Sequence, residues 1–435
     1  FADTRAESLK SALGAAYNSN PTLNAQRAAT RANDENLAQA KAGFRPTAFL
    51  TGRAAKRYSN TDLGRSSSTT PWGYGIEINQ NLFNGFRTVN NIRAAKASIF
   101  ASRETLRNVE QNVLLSGVQA YVAVAQAIDL LDIRQRNIKF LREQLRSSDA
   151  RLEVGEGTRT DVAQSRAQLE LARAQLSAAR ANLTASRASY VQIIGRSPSR
   201  TSWPRVPRGL PSSTSRAIET GMSSHPVIRA ANHAVDAALF NVKTAEGAFL
   251  PTVDAQITAE RSYNSNGVQG NSGRSAAAAV AVRVPLYQGG AASSAVRQGK
   301  QTLSQSRIQV DEQRDAVRQE IVTSFTTLQS ARANLNANRA QISAARLALS
   351  GVVEERNVGQ RTQLDVLLAQ NSVLQAEELA VQSRAAAVTA GYRLLAAIGR
   401  LNSNRLGLRV AHYSPKKHYK KIKDLWYGLR TPSGN

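Results

Sequence analysis

Apolar residues recur at every seventh position in two stretches of this chain, and the second stretch repeats the first at a fixed offset. The first run holds Ile99, Leu106 and Val113, then, after a four-residue slip, Val124, Leu131, Ile138, Leu145 and Leu152. The second holds Leu303, Val310 and Val317, then Leu328, Leu335, Ile342 and Leu349, each 204 positions after its counterpart and with the same slip. A seven-residue apolar repeat lets helices supercoil and bury a shared seam. Other landmarks keep the register. Pro21 and Pro46 recur as Pro226 and Pro251, and Leu82-Phe83-Asn84-Gly85 recurs as Leu286-Tyr287-Gln288-Gly289. Val154-Gly155, Thr158 and Asp161-Val162 recur as Val358-Gly359, Thr362 and Asp365-Val366. An offset of 204 across glycines and heptads, and of 205 at the prolines, makes the chain a duplicated unit.

Between its helical runs each half carries two strand-like segments. Trp72, Tyr74, Ile76 and Ile78 alternate with Gly73, Gly75, Glu77 and Asn79; their repeat counterparts are Ala278, Val280, Val282 and Val284, alternating with Ala279, Ala281, Arg283 and Pro285. Such a strand has one apolar face and one small or polar face. A weaker strand precedes each, Thr47 to Tyr58 and Thr252 to Tyr263, separated by Ser-, Asn- and Gly-rich loops at Ser59 to Pro71 and Asn264 to Ser275. Each half is therefore expected to supply one hairpin of a length that crosses a bilayer when tilted, with Trp72, Tyr74, Ile76, Ile78, Val280, Val282 and Val284 toward lipid. Four strands cannot close a barrel, and an open sheet edge is not tolerated in lipid, so copies of the chain must associate.

After Gly85 and Gly289 the helical pattern runs without proline to about Leu152 and Arg356. Some 67 residues at 1.5 Å each make a rod of about 100 Å. Each rod ends at a Val-Gly turn, and a shorter helix returns from Thr158 to Ile194 and from Thr362 to Ile398. Thr158 with Asp161 and Thr362 with Asp365 read as helix starts, the carboxylate in the first turn contributing about 0.3–1 kcal/mol. The domain layout expected is 1–45, N-terminal helices; 46–84, first barrel hairpin; 85–196, long helix, tip and returning helix; and 197–225, linker and girdle segment. The second copy follows as 226–249, short tunnel helix; 250–288, second hairpin; 289–400, long helix, tip and returning helix; and 401–435, a basic C-terminal girdle and tail.

The chain has 57 Lys and Arg against 31 Asp and Glu, a net charge of +26, and no cysteine. Most of the basic residues are dispersed along the helices, which reads as solvated helix faces rather than a nucleic-acid footprint. The one cluster is Lys416, Lys417, Lys420, Lys421 and Lys423, followed by Trp426 and Tyr427; a solvated tail is expected there, with contact to acidic lipid head groups the other reading. The lack of cysteine excludes disulfides, thiolate metal sites and a thiol nucleophile. Because the chain starts at Phe1, a signal peptide is expected to have been removed already. No spanning helix is evident: the longest uncharged window, Gln111 to Ile128, carries Gln, Asn, Ser and Tyr and reads as a buried seam. His225, His233, His412 and His418 lack metal-ligand spacing, and no nucleophile elbow or phosphate loop occurs. No enzyme activity, metal or cofactor is expected.

Together these features resemble the TolC family of outer-membrane efflux and export channels. The residues that carry the resemblance are Val284-Pro285-Leu286-Tyr287-Gln288-Gly289-Gly290 at the strand-to-helix joint and Val358-Gly359-Gln360-Arg361-Thr362-Gln363-Leu364-Asp365-Val366-Leu367 at the turn, continuing through Ala369-Gln370-Asn371. It covers roughly Ala2 to Leu408 and not the tail. It implies an all-α architecture with membrane β: two long and two short helices per chain in a trimeric α-helical barrel, and four strands per chain in a 12-stranded β-barrel. The implied setting is the outer membrane of a Gram-negative bacterium with the helical tunnel in the periplasm. The implied partners are two further copies, a periplasmic adaptor, an inner-membrane efflux pump or ABC transporter, and outer-membrane lipid, with no nucleic acid.

The resemblance also implies a gate at the periplasmic tips. By position Asp365 matches the first of two entrance-ring acids, whereas the second position is Leu368, so the ring would hold three carboxylates. Arg361 matches a constricting arginine and Asp161 the acid it bonds on the neighbouring helix pair. Arg356 stands where the family has a linking tyrosine. Val154, Gly155, Gly157 and Thr158, with Val358, Gly359, Gln360 and Thr362, are where the resemblance puts adaptor contact. The competing reading is a soluble basic coiled-coil scaffold or nucleic-acid-binding protein, which explains the charge and heptads but not the paired hairpins.

Overall fold

A computed structural model of the chain describes residues 7–60, 66–199, 201–265 and 268–431. Parts of the predicted loops (61–65 and 266–267), of the linker (200), of the N-terminal girdle segment (2–6) and of the tail (432–435) lie outside the described residues. In chain order the helices are α1 (Leu9–Ser19), α2 (Pro21–Ala42), α3 (Arg87–Glu153), α4 (Arg159–Ile194), α5 (Thr214–Ser224), α6 (Pro226–Glu246), α7 (Ala291–Asn357), α8 (Gln363–Ala397) and α9 (Pro415–Ile422). The strands are β1 (Thr47–Ala54), β2 (Arg57–Asn60), β3 (Ser66–Thr69), β4 (Trp72–Asn84), β5 (Thr252–Tyr263) and β6 (Ser272–Arg283). The duplication holds in three dimensions at the level of elements: α3 and α7 are both unbroken helices of 67 residues.

The chain divides into two compact units, and both copies of the repeat contribute to each. One comprises 1–28, 104–229 and 312–413. Its core gathers Leu114, Val118, Tyr121 and Val124 of α3 with Leu13 of α1, Ile194 of α4, Ile321 of α7 and Leu394 of α8, all nearly or wholly inaccessible. α3 does contain a window apolar and long enough to cross a membrane by composition alone. The predicted seam Gln111 to Ile128 is nonetheless packed into this core. Tyr121 fixes two connecting segments to it: its hydroxyl lies 2.6 Å from the Glu7 carbonyl and accepts the Ser202 N–H at 3.0 Å. His225, read as a turn residue, closes α5 and accepts from the Val227 N–H at 3.3 Å.

The second unit comprises 29–103, 230–311 and 414–435. Its sheet is antiparallel in the order β1-β4-β5-β6, so the two hairpins join through β4 and β5, and β1 and β6 are its edges. The first hairpin departs from expectation. The single strand predicted from Thr47 to Tyr58 breaks after Ala54, and the predicted loop contains strand β3, which pairs with β2 as a separate two-stranded ribbon. The sequence Arg57–Asn60, with Ser66–Thr69 opposite it, offers no apolar face to hold it in the register of β1. At the base of the sheet Gly85, with φ of 65°, lies against Gly247: a Cβ on Gly85 would stand 2.3 Å from the Gly247 carbonyl oxygen. Only glycine permits that backbone contact.

The tail also departs from the solvated segment expected. It forms α9, with Ile422 fully buried, and His418 Nδ1 lies 3.3 Å from Asp34 of α2. Asp34 is inaccessible; burial pushes its carboxyl above the ordinary range, while Arg103 at 3.4 Å and His418 oppose the rise. The lysines dominated the sequence pattern, but His418, Tyr419 and Ile422 occupy the inward face.

Candidate functional site

Two parts of the molecule carry chemistry, the sheet and the helix tips. Directly opposed residues in an antiparallel sheet share a face. Ile76 lies opposite Leu50 on β1 and Ala259 on β5; Ile78 lies opposite Ala48 and Ile257; Val282 and Val280 lie opposite Val253 and Ala255. Over these rows one face is apolar, with Arg261 opposite Tyr74 and Arg274 opposite Arg261 on the same face toward the loops, and Ile76 and Val280 expose 53% and 65% of their surface within the single chain. Trp72, Tyr74, Val282 and Val284 are exposed as well, Ile78 is half-buried, and Val284 lies just beyond the end of β6.

The opposite face carries Arg53, Glu77, Asn79, Gln256 and Glu260 in the same registers. Arg53 pairs with Glu260, and the Gln256 amide donates to Glu77 at 3.0 Å. Gly73 and Gly75 occupy this face because a Cβ there would stand 2.8 Å from the β5 carbonyls of Arg261 and Ala259. At the loop end of the apolar face the rings of Trp72 and Tyr263 stack with centroids 4.1 Å apart. Aromatic side chains at such a level suit a membrane–water boundary. The sheet is largely apolar on one face and polar on the other, and among the described residues β1 and β6 are its edges.

At the tips both turns use the same device. α3 ends at Glu153, Gly155 takes φ of 82°, and the Glu156 and Gly157 N–H groups return to the Arg151 carbonyl at 2.8 and 3.0 Å. Thr158 then caps α4 in a reciprocal box with Asp161. In the second copy Gly359 takes φ of 80°, the Gln360 N–H returns to Glu355, and Thr362 caps α8 with Asp365. The Thr362 backbone and hydroxyl donate to the Asp365 carboxylate, which holds it below its ordinary pKa, with a smaller contribution from Arg361. Val154 and Val358 expose 70% and 71% of their surface.

The expected site residues are brought together only in part. Arg361 Nε lies 2.8 Å from Glu355 Oε2, its ion-pair partner among the described residues, rather than from Asp161, whose carboxylate is occupied by Thr158. Leu368 is exposed. Arg356 is buried, and its Nη1 donates to Gln363 Oε1 at 3.2 Å. Burial, and then the nearby Arg151, lower the guanidinium's pKa, and its Nε has no partner. Gln363 extends the contact, its amide 3.3 Å from Gln144 Oε1 and 3.4 Å from Ser165 Oγ, which lies 3.1 Å from Ser148 Oγ. Glu355, Ser148 and Ser165 were not singled out from the sequence; a small polar residue on a seam between helices was the signal to follow.

An amphipathic sheet with open edges joined to duplicated 67-residue helices defines an outer-membrane channel component. The chain belongs to the family described as Outer membrane efflux protein, which it matches over residues 12–196 and 218–400. It is 45% identical to the outer membrane efflux protein BepC of Brucella suis biovar 1 (strain 1330), across 98% of this chain and 93% of that one. It is 24% identical to the outer membrane protein TolC of Escherichia coli (strain K12), across 93% and 84%. Its fold matches the crystal structure of the Campylobacter jejuni CmeC outer membrane channel, with a TM-score of 0.81 at 16% identity, across 96% of this chain and 89% of that one. The chain is accordingly an outer-membrane protein of the Gram-negative type, with its long helices on the periplasmic side, and the soluble scaffold reading is set aside.

Proposed function

We propose that three copies of this chain form a passive exit duct for a tripartite efflux or type I secretion system. The observation that carries this reading is the sheet: one face is largely apolar, the other polar, and among the described residues the outer sides of the edge strands β1 and β6 have no pairing strand. Three such sheets joined edge to edge leave no backbone group unpaired in lipid, with Arg53, Glu77 and Glu260 toward the water-filled interior. The helices support the same stoichiometry. Heptad residues Val124 and Leu328 are buried within one chain, whereas Leu145, Leu152, Leu335 and Leu349 toward the tips are only half-buried, and Ile308, Leu347 and Leu368 are exposed. Neighbouring copies would cover these surfaces.

Solute passes through the duct without chemistry, and the work is done by an inner-membrane pump coupled through a periplasmic adaptor that meets the tips at Val154, Gly155, Gly157, Thr158, Val358, Gly359, Gln360 and Thr362. In the closed state Arg361 reaches Asp161 of the adjoining helix pair, and Asp365 forms an entrance ring of three carboxylates. Arg356, buried against Gln363, holds the base of the tip rather than the constriction.

The test uses the absence of cysteine. Cysteines introduced at Leu50 on β1 and Val280 on β6, joined by a short bismaleimide in the detergent-solubilised protein, should yield a ladder that stops at three chains. A protein that remains a folded monomer in water without detergent, with no linked species, overturns the reading.

A further inference from the structure

Residues 414–431 combine two properties that the duct does not use. They are strongly basic, with Lys416, Lys417, Lys420, Lys421, Lys423 and Arg430 against Asp424 alone. They also end in an exposed apolar run: Trp426, Tyr427 and Leu429 expose 68%, 92% and 104% of their surface. Exposed apolar residues at the end of a loose tail would carry no information. Here the segment is fixed in place.

Four contacts hold it. Lys41 Nζ at the end of α2 donates to the Lys423 carbonyl at 2.6 Å and pairs with Asp424 at 2.9 Å. Arg45 Nη1 donates to the Leu425 carbonyl at 2.8 Å, and its guanidinium lies 4.8 Å from the Trp426 ring centroid. Arg45 stands two residues before β1 begins at Thr47, so the Trp426 ring is held at the helix-side root of the first membrane strand. Upstream, α9 is fastened by Asp34 and by Arg103 over the Tyr419 ring, which leaves Lys416, Lys417 and Lys420 facing solvent. Other exposed apolar side chains occupy the roots of the remaining strands: Phe44 before β1, Phe249 before β5, and Leu286 and Tyr287 after β6.

The helix-side roots of the strands mark where the outer membrane gives way to the periplasm. Trp and Tyr concentrate at that level, with ring in hydrocarbon and polar edge in the head groups, and a polybasic segment beside them is drawn to anionic lipid at about 1 kcal/mol per residue. We propose that residues 414–431 form an interfacial anchor. Trp426, Tyr427 and Leu429 enter the periplasmic leaflet of the outer membrane, and the α9 lysines bind the phosphates of its anionic phospholipids. A protein surface is the lesser fit, because apolar side chains flanked by dispersed lysines, level with the rest of the strand-root belt, match a lipid boundary in both charge and position. The inference rests on the barrel reading, whose own test is the β1–β6 linkage.

The experiment places a single cysteine at Tyr427, labels it with bimane, and reconstitutes the β1–β6-competent trimer into nanodiscs of phosphatidylcholine with and without phosphatidylglycerol. A second sample carries the label at Val154. Brominated acyl chains should quench the Tyr427 label at least about twofold more than the Val154 label, and more strongly when phosphatidylglycerol is present. Lys416→Gln, Lys417→Gln and Lys420→Gln together should abolish the added effect of phosphatidylglycerol, as should high salt. Quenching equal at the two positions overturns the proposal. So does a Tyr427 label shielded from both bromolipid and aqueous iodide, which would mean that protein covers the segment.

Discussion

Arg361 Nε lies 2.8 Å from Glu355 Oε2 across the turn that joins α7 to α8, so the guanidinium proposed to lock a neighbouring helix pair has a rival partner on its own chain. Both side chains are about half exposed, where solvent screens an ion pair and leaves it weak. Exchange between Glu355 and Asp161 is therefore energetically easy, and the two acids compete for one cation. Arg361→Ser and Asp161→Ala should each raise single-channel conductance in planar bilayers, because both remove the inter-pair link. Glu355→Ala should not raise it, since Arg361 is then released to Asp161. Unchanged conductance in the first two variants would remove the gate assignment.

In the proposed entrance ring Asp365 is the single acid of each chain, with Leu368 at the second ring position. Block by a multivalent cation applied from the tip side should be weak in the parent and vanish in Asp365→Ala. Leu368→Glu should strengthen it. Equal block in all three proteins would count against an acidic ring.

The Asp365 carboxylate also caps α8, and hydrogen bonds from Thr362 hold its pKa below the ordinary 3.8. The folded state thus binds the proton less readily than the unfolded chain. The cap's contribution is complete at neutral pH and is lost as pH falls below the ordinary carboxylate range. Amide exchange at the start of α8 should accelerate only at pH below about 4, and Asp365→Asn should exchange at a rate independent of pH after correction for intrinsic exchange.

His225 is buried between the Val227 N–H and the Ala396 backbone, and burial holds its pKa below the ordinary 6.5 despite the opposing hydrogen bond to Ala396. A depressed histidine pKa means that the unfolded chain takes up the proton first, so this residue's share of stability is present above pH 6.5 and lost as the pH falls through and below it. Thermal unfolding midpoints should decline on acidification through that window, and His225→Gln should flatten the decline. A parent profile as flat as the variant's would exclude the coupling.

Gly85→Ala should loosen the joint between strand and helix. The added methyl must accept a φ of 65° and a contact 2.3 Å from the Gly247 carbonyl oxygen, together costing about 2–4 kcal/mol. The expected readout is a lower temperature for heat dissociation of the proposed trimer on gels. Gly155→Ala, at a tip where nothing lies within 4 Å, meets only the strain of its φ of 82° and should lower that temperature less than Gly85→Ala does.

The periodicities were legible without coordinates because each is local. Heptad spacing announced α3 and α7, alternation announced β4 and β6, and the Thr-x-x-Asp pairs announced caps that form as read. The duplication announced that the long helix and its returning helix occur twice. Long-range pairing is a different kind of fact. That β4 adjoins β5, that Gly85 faces Gly247, that Arg361 turns to Glu355, and that His418 seats the tail on Asp34 depend on residues far apart in the chain or on the direction a side chain takes. A heptad states which side of a helix is apolar and is silent about what will cover it, and a lysine cluster hides the few inward residues that dock it. The sequence by itself determined the long helices, the tip caps and the amphipathic strands of the main sheet, because backbone hydrogen bonding and side-chain periodicity act over a few residues. The tertiary structure decided the partners, because burial and pairing depend on which surfaces exclude water together.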